Sequence, residues 1–206
     1  MQTARRLPES LRVYSKASGP DISDEALLEA IADGDRRAMR TLFTRYSALV
    51  YRFVARLTGN ESLAEDTVSE VFLDVWRQAY RFEAKSKVST WVLAIARHKA
   101  LSALRRRSEV QLDDDMAVTM VDPADGPETM AHNKDRSAIV QKCLRQLSPS
   151  HREVIDLVYY HEKSIAEVAQ IIGAPANTVK TRMFCARKQI AEMLKRAGVD
   201  RVQACG

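Results

Sequence analysis

Residues 88–107 contain neither Gly nor Pro and are predicted to form one helix. Ser89 or Thr90 stands at a plausible N-cap position at the start of this stretch. Apolar residues recur along it at the three- and four-residue spacing of a helix, which predicts one buried stripe. The stripe consists of Val88, Trp91, Val92, Ile95, Leu101 and Leu104.

Every charge in this stretch is positive. Its basic residues are Arg97, Lys99, Arg105, Arg106 and Arg107, and no Asp or Glu lies among them. A helix with a Trp near its start and cations along its length suits a polyanion that offers phosphates and stackable bases. A core helix whose Arg-rich end complements the helix dipole accounts for the same charges. Both interpretations stay open from this stretch alone.

Composition predicts a folded helical protein with one domain or two small ones. The chain has 206 residues, 46% of them hydrophobic, with only seven Gly and six Pro. Its net charge of +5 favours an acidic partner. The longest central apolar run, residues 91–96, is too short to span a bilayer, and no secretory segment precedes it. We therefore expect a cytoplasmic protein without membrane insertion.

The cysteine and histidine spacings predict no metal site and no cofactor. Cys143, Cys185 and Cys205 are widely separated and form no C-x-x-C pair. The four histidines, His98, His132, His151 and His161, share no ligand spacing. Neither a disulfide framework nor a zinc site is indicated.

Three further helices are predicted before residue 88, which gives a four-helix domain over residues 21–107. Ser23 caps the first helix and Gly34 ends it, the second spans about residues 35–57 and the third about 61–79. Residues 80–87 are predicted to be a loop. Residues 1–20 lack periodicity and are expected to form a flexible N-terminal extension.

The third predicted helix carries three acidic residues at four-residue spacing. Asp66, Glu70 and Asp74 therefore line one flank of the helix. Such a stripe is usually a solvated face, and it also suits a protein-docking surface.

An acidic flexible linker is predicted over residues 108–134. The stretch 108–137 holds eight acidic residues against Lys134 and Arg136, and Pro123, Gly126 and Pro127 break any helix. A second helical domain then spans residues 135–197, followed by a tail over 198–206.

The second domain contains a helix-turn-helix pattern. Ser148 and Pro149 begin one helix, and Ser164 caps a short helix over residues 165–172. Gly173 turns the chain into a final helix that reaches Arg196. The polar face of the final helix suits the major groove of DNA. Its candidate DNA-binding residues are Thr178, Lys180, Thr181, Arg182, Phe184, Cys185, Arg187 and Lys188.

Two blocks of residues resemble the extracytoplasmic-function (ECF) sigma factors of bacterial RNA polymerase. The first block is similar to their region 2 and consists of Ala64-Glu-Asp66, Val71-Phe72, Trp76, Ser89-Thr-Trp91, Ile95-Ala-Arg97 and Leu104-Arg-Arg-Arg107. The second block is similar to their region 4 and consists of Leu147-Ser-Pro149, Glu153, Ile165-Ala-Glu-Val-Ala, Gly173 to Arg182 and Ala186-Arg187. Together the blocks cover most of the chain from about residue 24 to 194.

The resemblance implies a non-catalytic initiation subunit in which each surface has a role. Asp66, Glu70 and Asp74 would dock the β′ clamp of core RNA polymerase, and the helices before the helix-turn-helix would hold the β flap. The linker would thread the RNA path of the polymerase, and an anti-sigma factor would hold the protein inactive, for example in a stress or envelope response. The helix-turn-helix residues given above would read the minus-thirty-five element of promoter DNA. The residues implied in minus-ten recognition and melting are Lys85, Ser86, Lys87, Trp91, Arg97, His98, Arg105 and Arg106.

This sequence departs from the family pattern at several of these positions. His98 stands for the usual Asn, Ser102 for Asp, Ser69 for Gln, Asn177 for Gly and Cys185 for Arg. A cysteine cannot donate a bidentate pair to guanine, so the promoter sequence is expected to differ.

Two other classes of function fit the sequence less well. A stand-alone helix-turn-helix regulator would need an effector pocket where the first domain offers a cationic, Trp-bearing helix. A nucleic-acid enzyme would need a metal cluster or a nucleophile–base pair, and neither is apparent, so no catalytic residue is predicted.

Overall fold

The computed structural model describes residues 22–112, 139–140 and 142–197. Throughout these ranges every regular element is a helix, which confirms the all-α fold class. The predicted N-terminal extension, the linker beyond residue 112 and the C-terminal tail lie outside the described residues. The chain divides into two compact units on either side of Pro123, and each is described by itself.

Between residues 22 and 112 the first unit forms four α-helices. They are α1 (Asp24–Ala32), α2 (Arg36–Thr58), α3 (Glu61–Gln78) and α4 (Val88–Leu112), with a single 3₁₀ turn over Ala79–Arg81 after α3. The four predicted helices are thus confirmed. No Gly or Pro interrupts residues 108–112, and α4 continues through them beyond its predicted end at residue 107.

Side-chain caps begin the first three helices. The Ser23 hydroxyl accepts from the Ala26 amide at 3.2 Å, and an Asn60 side-chain oxygen accepts from the Leu63 amide at 2.9 Å. Asp35 caps α2 in the same way, and its carboxylate accepts from the Arg37 amide at 2.6 Å.

The predicted cap of α4 at Ser89 or Thr90 is wrong. The helix begins at Val88, and the Lys87 carbonyl accepts from the amides of Thr90 at 2.9 Å and Trp91 at 3.1 Å. Val88 and Thr90 are both buried, so packing of the first turn against the core starts the helix earlier than a Ser or Thr cap would.

The buried side of α4 also differs from the predicted stripe. Val88 and Val92 are buried as expected, but the remaining core positions are Leu93, Ala96 and Ala100. Because α4 packs on both α2 and α3, small side chains facing these helices are buried completely. The remaining members of the predicted stripe are only half-buried: Trp91, Ile95, Leu101 and Leu104.

A polar cluster holds the start of α1 against α2. The Arg45 guanidinium donates to a carboxylate oxygen of Asp24 at 2.6 Å and to the Ile22 carbonyl at 2.8 Å. The Tyr46 hydroxyl donates to the other carboxylate oxygen of Asp24. Burial raises the pKa of Tyr46 well above its ordinary value, and the hydrogen bond to Asp24 raises it further.

We expect this cluster to make the first unit sensitive to alkaline pH. A tyrosine with a raised pKa in the folded state stabilises the fold below its unfolded-state pKa of about 10, and that contribution is lost as the pH rises above this value. Urea unfolding at pH 9 and pH 11 should therefore show a larger loss of stability for the wild type than for Tyr46→Phe, which cannot ionise. Equal losses in the two proteins would contradict the assignment.

In its described residues the second unit consists of helical segments, and the last two helices form a helix-turn-helix. Residues 139–140 and 142–146 are helical, and α5 (Pro149–Ile155) runs into a π-helical turn over Asp156–Tyr160. They are followed by α6 (Ile165–Ile172) and α7 (Ala176–Arg196).

Local signals in the second unit are confirmed where side chains cap helices. The Ser148 hydroxyl accepts from the His151 amide, and Ser164 forms a reciprocal capping box with Glu167. Gly173 has φ 65°, the left-handed conformation that ends α6. In the segment before α5, Val140 is exposed and Cys143 is buried.

Candidate nucleic-acid and polymerase-binding surfaces

Helix α7 has one face in the core and another open to solvent. Val179, Met183 and Ala186 are buried against the rest of the second unit. This anchoring turns a polar face outward, as a recognition helix requires. The predicted residues on the outward face are Lys180, Thr181, Phe184, Arg187 and Lys188, all exposed, with Phe184 at 69%.

Three predicted residues of α7 are less accessible than expected. Thr178, Arg182 and Cys185 are half-buried, because they lie between the solvent face and the core face. Cys185 is a free thiol.

Arg187 contacts an aromatic side chain outside α7. Its guanidinium carbon lies 5.8 Å from the ring centre of Tyr159, in the π-helical turn. The sequence pattern did not reveal this contact, since only the turn geometry places Tyr159 beside α7.

The loop before α4 is supported by an aromatic pair. The rings of Phe82 and Trp91 lie 5.5 Å apart at 59° to each other, so Trp91 packs against the first residue after the 3₁₀ turn. Lys85 and Lys87 are exposed, Ser86 is half-buried, and Lys85 is ion-paired with Glu83. The side chains of Lys85 and Lys87 are thus exposed to solvent, while Phe82 and Trp91 pack against each other at the two ends of the loop.

The predicted minus-ten residues of α4 do not all share one face. Trp91, His98 and Arg105 are seven residues apart and line one side of the helix, and the last two are exposed. Arg97 lies on another side and is half-buried. Arg106 lies on the flank that faces α3.

The acidic stripe of α3 contacts the cationic helix α4. The Lys99 ammonium lies 2.9 Å from an Asp74 carboxylate oxygen and 3.8 Å from one of Glu70, and the Arg106 guanidinium lies 3.8 Å from Glu70. Asp66 is exposed. The positive charges of α4 are therefore partly balanced from within the same unit.

An apolar groove lies beside the acidic stripe. It has a volume of about 580 Å³, and the Phe43 and Phe72 rings meet in its wall at 4.7 Å. Leu73 lines the groove, is 54% exposed and precedes Asp74 in the sequence. Sequence reasoning missed Leu73, although an exposed Leu between Glu70 and Trp76 is a signal that helical spacing could have given. The groove is lined by Arg36, Met39, Phe43, Ser69, Phe72, Leu73 and Trp76.

Two kinds of feature are absent from the described ranges. No helix there combines the length and the apolar character of a bilayer-spanning segment. In the same ranges no three His, Cys, Asp or Glu side chains come together as a metal ion would require.

Comparison with known proteins agrees with this arrangement. Residues 42–110 match the family model for Sigma-70 region 2, and residues 137–190 match that for Sigma-70, region 4. The ECF RNA polymerase sigma factor SigK of Mycobacterium tuberculosis is 30% identical, over 82% of this chain and 92% of SigK. The chain belongs to the ECF sigma factor family. SigW of Bacillus subtilis, another ECF sigma factor, is 29% identical over 82% of this chain and 95% of its own length.

Two solved structures share the fold seen here. The sigma factor RpoE in complex with the anti-sigma factor NepR from Bartonella quintana is 27% identical, with a TM-score of 0.65 over 80% of this chain and 99% of that one. CnrH in complex with the cytosolic domain of CnrY has a TM-score of 0.61 at 22% identity, which shows the fold alone.

Membership of the ECF family decides between the functions considered above. This ECF sigma factor directs promoter-specific transcription initiation, with region 2 in the first unit and region 4 in the second. Sigma factors of this kind bind core RNA polymerase and promoter DNA through these two regions and are non-catalytic. A stand-alone regulator is not favoured.

Proposed function

We propose that each surface described above performs one step of initiation: docking on polymerase, capture of the minus-ten element, or reading of the minus-thirty-five element. The observation that carries this assignment is the division of α7 into a core face and an exposed, largely polar face. A helix that is anchored by Val179 and Met183 needs no exposed Phe184 for folding, so the outward face is available for DNA.

Docking on core polymerase is assigned to Asp66, Glu70, Asp74 and the neighbouring groove. The acidic side chains suit a basic partner surface, and the exposed Leu73 and the groove suit an apolar anchor from the same partner. The β′ clamp is the element that we assign to this surface, and the β flap is assigned to the helices before α6.

Minus-ten capture is assigned to the loop of Lys85, Ser86 and Lys87 and to five residues on more than one side of α4. Its cations suit phosphates of a separated strand, while Trp91 supports the loop through Phe82. Extrusion of a base costs a few kcal/mol, so a pre-formed loop lowers the cost of opening. The α4 residues in this assignment are Trp91, Arg97, His98, Arg105 and Arg106.

The minus-thirty-five element is assigned to α7, and its residues should differ in what they read. Alanine at Lys180, Thr181 or Phe184 should cost about 1–3 kcal/mol and relax specificity at one base where the side chain contacts a base edge. A side chain that contacts only phosphate should weaken binding to all sequences equally. Dissociation constants for a duplex selected by the wild-type holoenzyme and for a scrambled duplex separate the two cases.

Lys195→Ala is the matched control for Lys180→Ala, because it removes the same charge from an exposed position near the end of α7. Its effect on duplex affinity should be smaller and independent of sequence. Uniform effects of all the substitutions on both duplexes would show that α7 only positions the protein.

Run-off transcription with core polymerase tests the assignments together. The full chain plus core should initiate from a host promoter, whereas an equal amount of either component alone should not. A stand-alone regulator would alter transcription by an existing holoenzyme without initiating on its own.

We further propose that the protein acts in the cytoplasm without catalysing a reaction, held inactive by an anti-sigma factor until a stress or envelope signal arrives. The relative RpoE was solved with an anti-sigma factor, which supports such a partner here. A pull-down from the native host should recover core polymerase together with an inhibitor protein, and loss of that inhibitor should raise transcription.

A further inference from the structure

The two surfaces assigned to polymerase and to minus-ten DNA share one network of ion pairs. Lys99 and Arg106 of α4 contact Glu70 and Asp74 of α3. Neither surface is therefore electrostatically independent of the other. A partner that binds the acids changes the surroundings of the cations.

The contacts in this network are not equivalent. Asp74 and Lys99 lie 2.9 Å apart, and their side chains are only 19% and 23% exposed, which is the geometry of a lasting pair. Glu70 is 45% exposed, and its distances to Lys99 and Arg106 are both 3.8 Å, at the outer limit of an ion pair. A cation that approached Glu70 to about 2.8 Å would form the stronger, charge-assisted hydrogen bond.

If a cation of a binding partner took the place of Arg106 at Glu70, Arg106 would be released from this ion pair. Its side chain is 65% exposed, and Glu70 is its ion-pair partner in the described structure. Lys99 would stay with Asp74 when Glu70 is taken by another cation. The consequence of occupying Glu70 thus falls on Arg106.

We propose that Glu70 is a shared residue that couples polymerase docking to DNA capture. In the free protein its carboxylate attracts Arg106, and in the docked state it binds a cation of the polymerase, which leaves Arg106 available for a DNA phosphate. This inference rests on the proposed docking and minus-ten surfaces. It adds that the two are thermodynamically linked through one side chain.

The coupling between polymerase binding and DNA binding is reciprocal, and the factor by which one changes the other is limited. DNA bound at Arg106 must favour polymerase at Glu70 by the same factor by which polymerase favours DNA. Exposed ion pairs limit this factor to about two- to fivefold. Binding of a phosphate by the released Arg106 should also steepen the dependence of log affinity on log salt by about one.

The test measures the affinity of the full chain for a fluorescent single-stranded oligonucleotide, alone and with saturating core polymerase. Glu70→Gln, which keeps the shape but removes the charge, should raise the affinity of the free protein by about two- to fivefold and steepen its salt dependence. With core polymerase at a concentration that saturates each protein separately, the wild type and the Glu70→Gln variant should differ less in both quantities than the free proteins do. The double variant Glu70→Gln/Arg106→Gln should lose the increase in affinity.

Glu65→Gln is the matched control, because Glu65 is an exposed acid of the same helix. A comparable increase in affinity with Glu65→Gln, or an increase that survives Arg106→Gln, would show a general charge effect and overturn the coupling. Absence of any increase in the free protein would overturn it as well. Failure of the docking surface itself is recognised separately, since core polymerase would then bind normally to variants at Leu73.

Discussion

Replacing Trp91 by alanine should abolish promoter opening while leaving binding to duplex promoter almost intact. Phosphate contacts and region 4 supply the affinity for duplex, and Trp91 contributes only when a base leaves the stack. Loss of a half-buried Trp removes the support of Phe82 and lets the loop before α4 collapse or move. A template already mismatched across the minus-ten region should restore initiation, at least in part.

Permanganate footprinting of unpaired thymines and run-off assays on matched and pre-opened templates measure this effect. Phe82→Ala distinguishes two roles of the indole ring. If Trp91 supports the loop, Phe82→Ala should give the same defect, because it removes the other half of the pair; if Trp91 stacks on the base, Phe82→Ala should be much milder. Trp91→Phe retains a ring and serves as the conservative control. A folded Trp91→Ala protein that opens the matched promoter as well as the wild type would refute both roles.

The second large effect is expected at the docking surface. Leu73→Asp should weaken binding to core polymerase by at least about thirtyfold, since an anchor at the centre of an interface is worth about 2 kcal/mol or more. Leu73 makes this test sharper than reversal of Glu70 or Asp74. A lysine at either acid would face Lys99 and disturb α3 against α4 as well as the docking surface.

The experiment measures affinity for labelled core polymerase. It includes a second variant of the docking surface and a control variant on another helix. Asp66→Lys should also weaken binding, because Asp66 is exposed and is not needed to balance α4. Glu29→Lys makes the same change of charge on the exposed side of α1 and should have little effect. Normal affinity of Leu73→Asp for core, with unchanged helical content, would exclude this surface.

Local sequence signals predict the helices well, and tertiary contacts account for what they miss. Ser23, Ser148 and Ser164 cap helices as predicted, because a cap depends on residues only three positions apart. The predicted start of α4 is wrong because the burial of Val88 outweighs the preference for a Ser or Thr cap. Periodicity within one helix cannot reveal how neighbouring helices surround it.

The same limit applies to the candidate surfaces. The acidic flank of α3 and the cations of α4 are both visible in the sequence, but the pairing of Asp74 with Lys99 depends on how the two helices align. Likewise, the sequence identifies Arg187 as a surface residue, whereas its contact with Tyr159 follows from the fold of another segment. The roles of individual residues in binding DNA and polymerase stay predictions.

Helix α4 also sets a fixed distance within the first unit. It runs without a break for 25 residues, which at 1.5 Å per residue is about 37 Å. The two ends of the helix, Val88 and Leu112, are therefore kept at a distance determined by the number of residues between them. Substitutions along α4 preserve that distance, but one inserted residue would turn the rest of the helix by about 100° relative to Trp91. The length of this helix is thus more tightly constrained than the identity of its solvent-facing side chains.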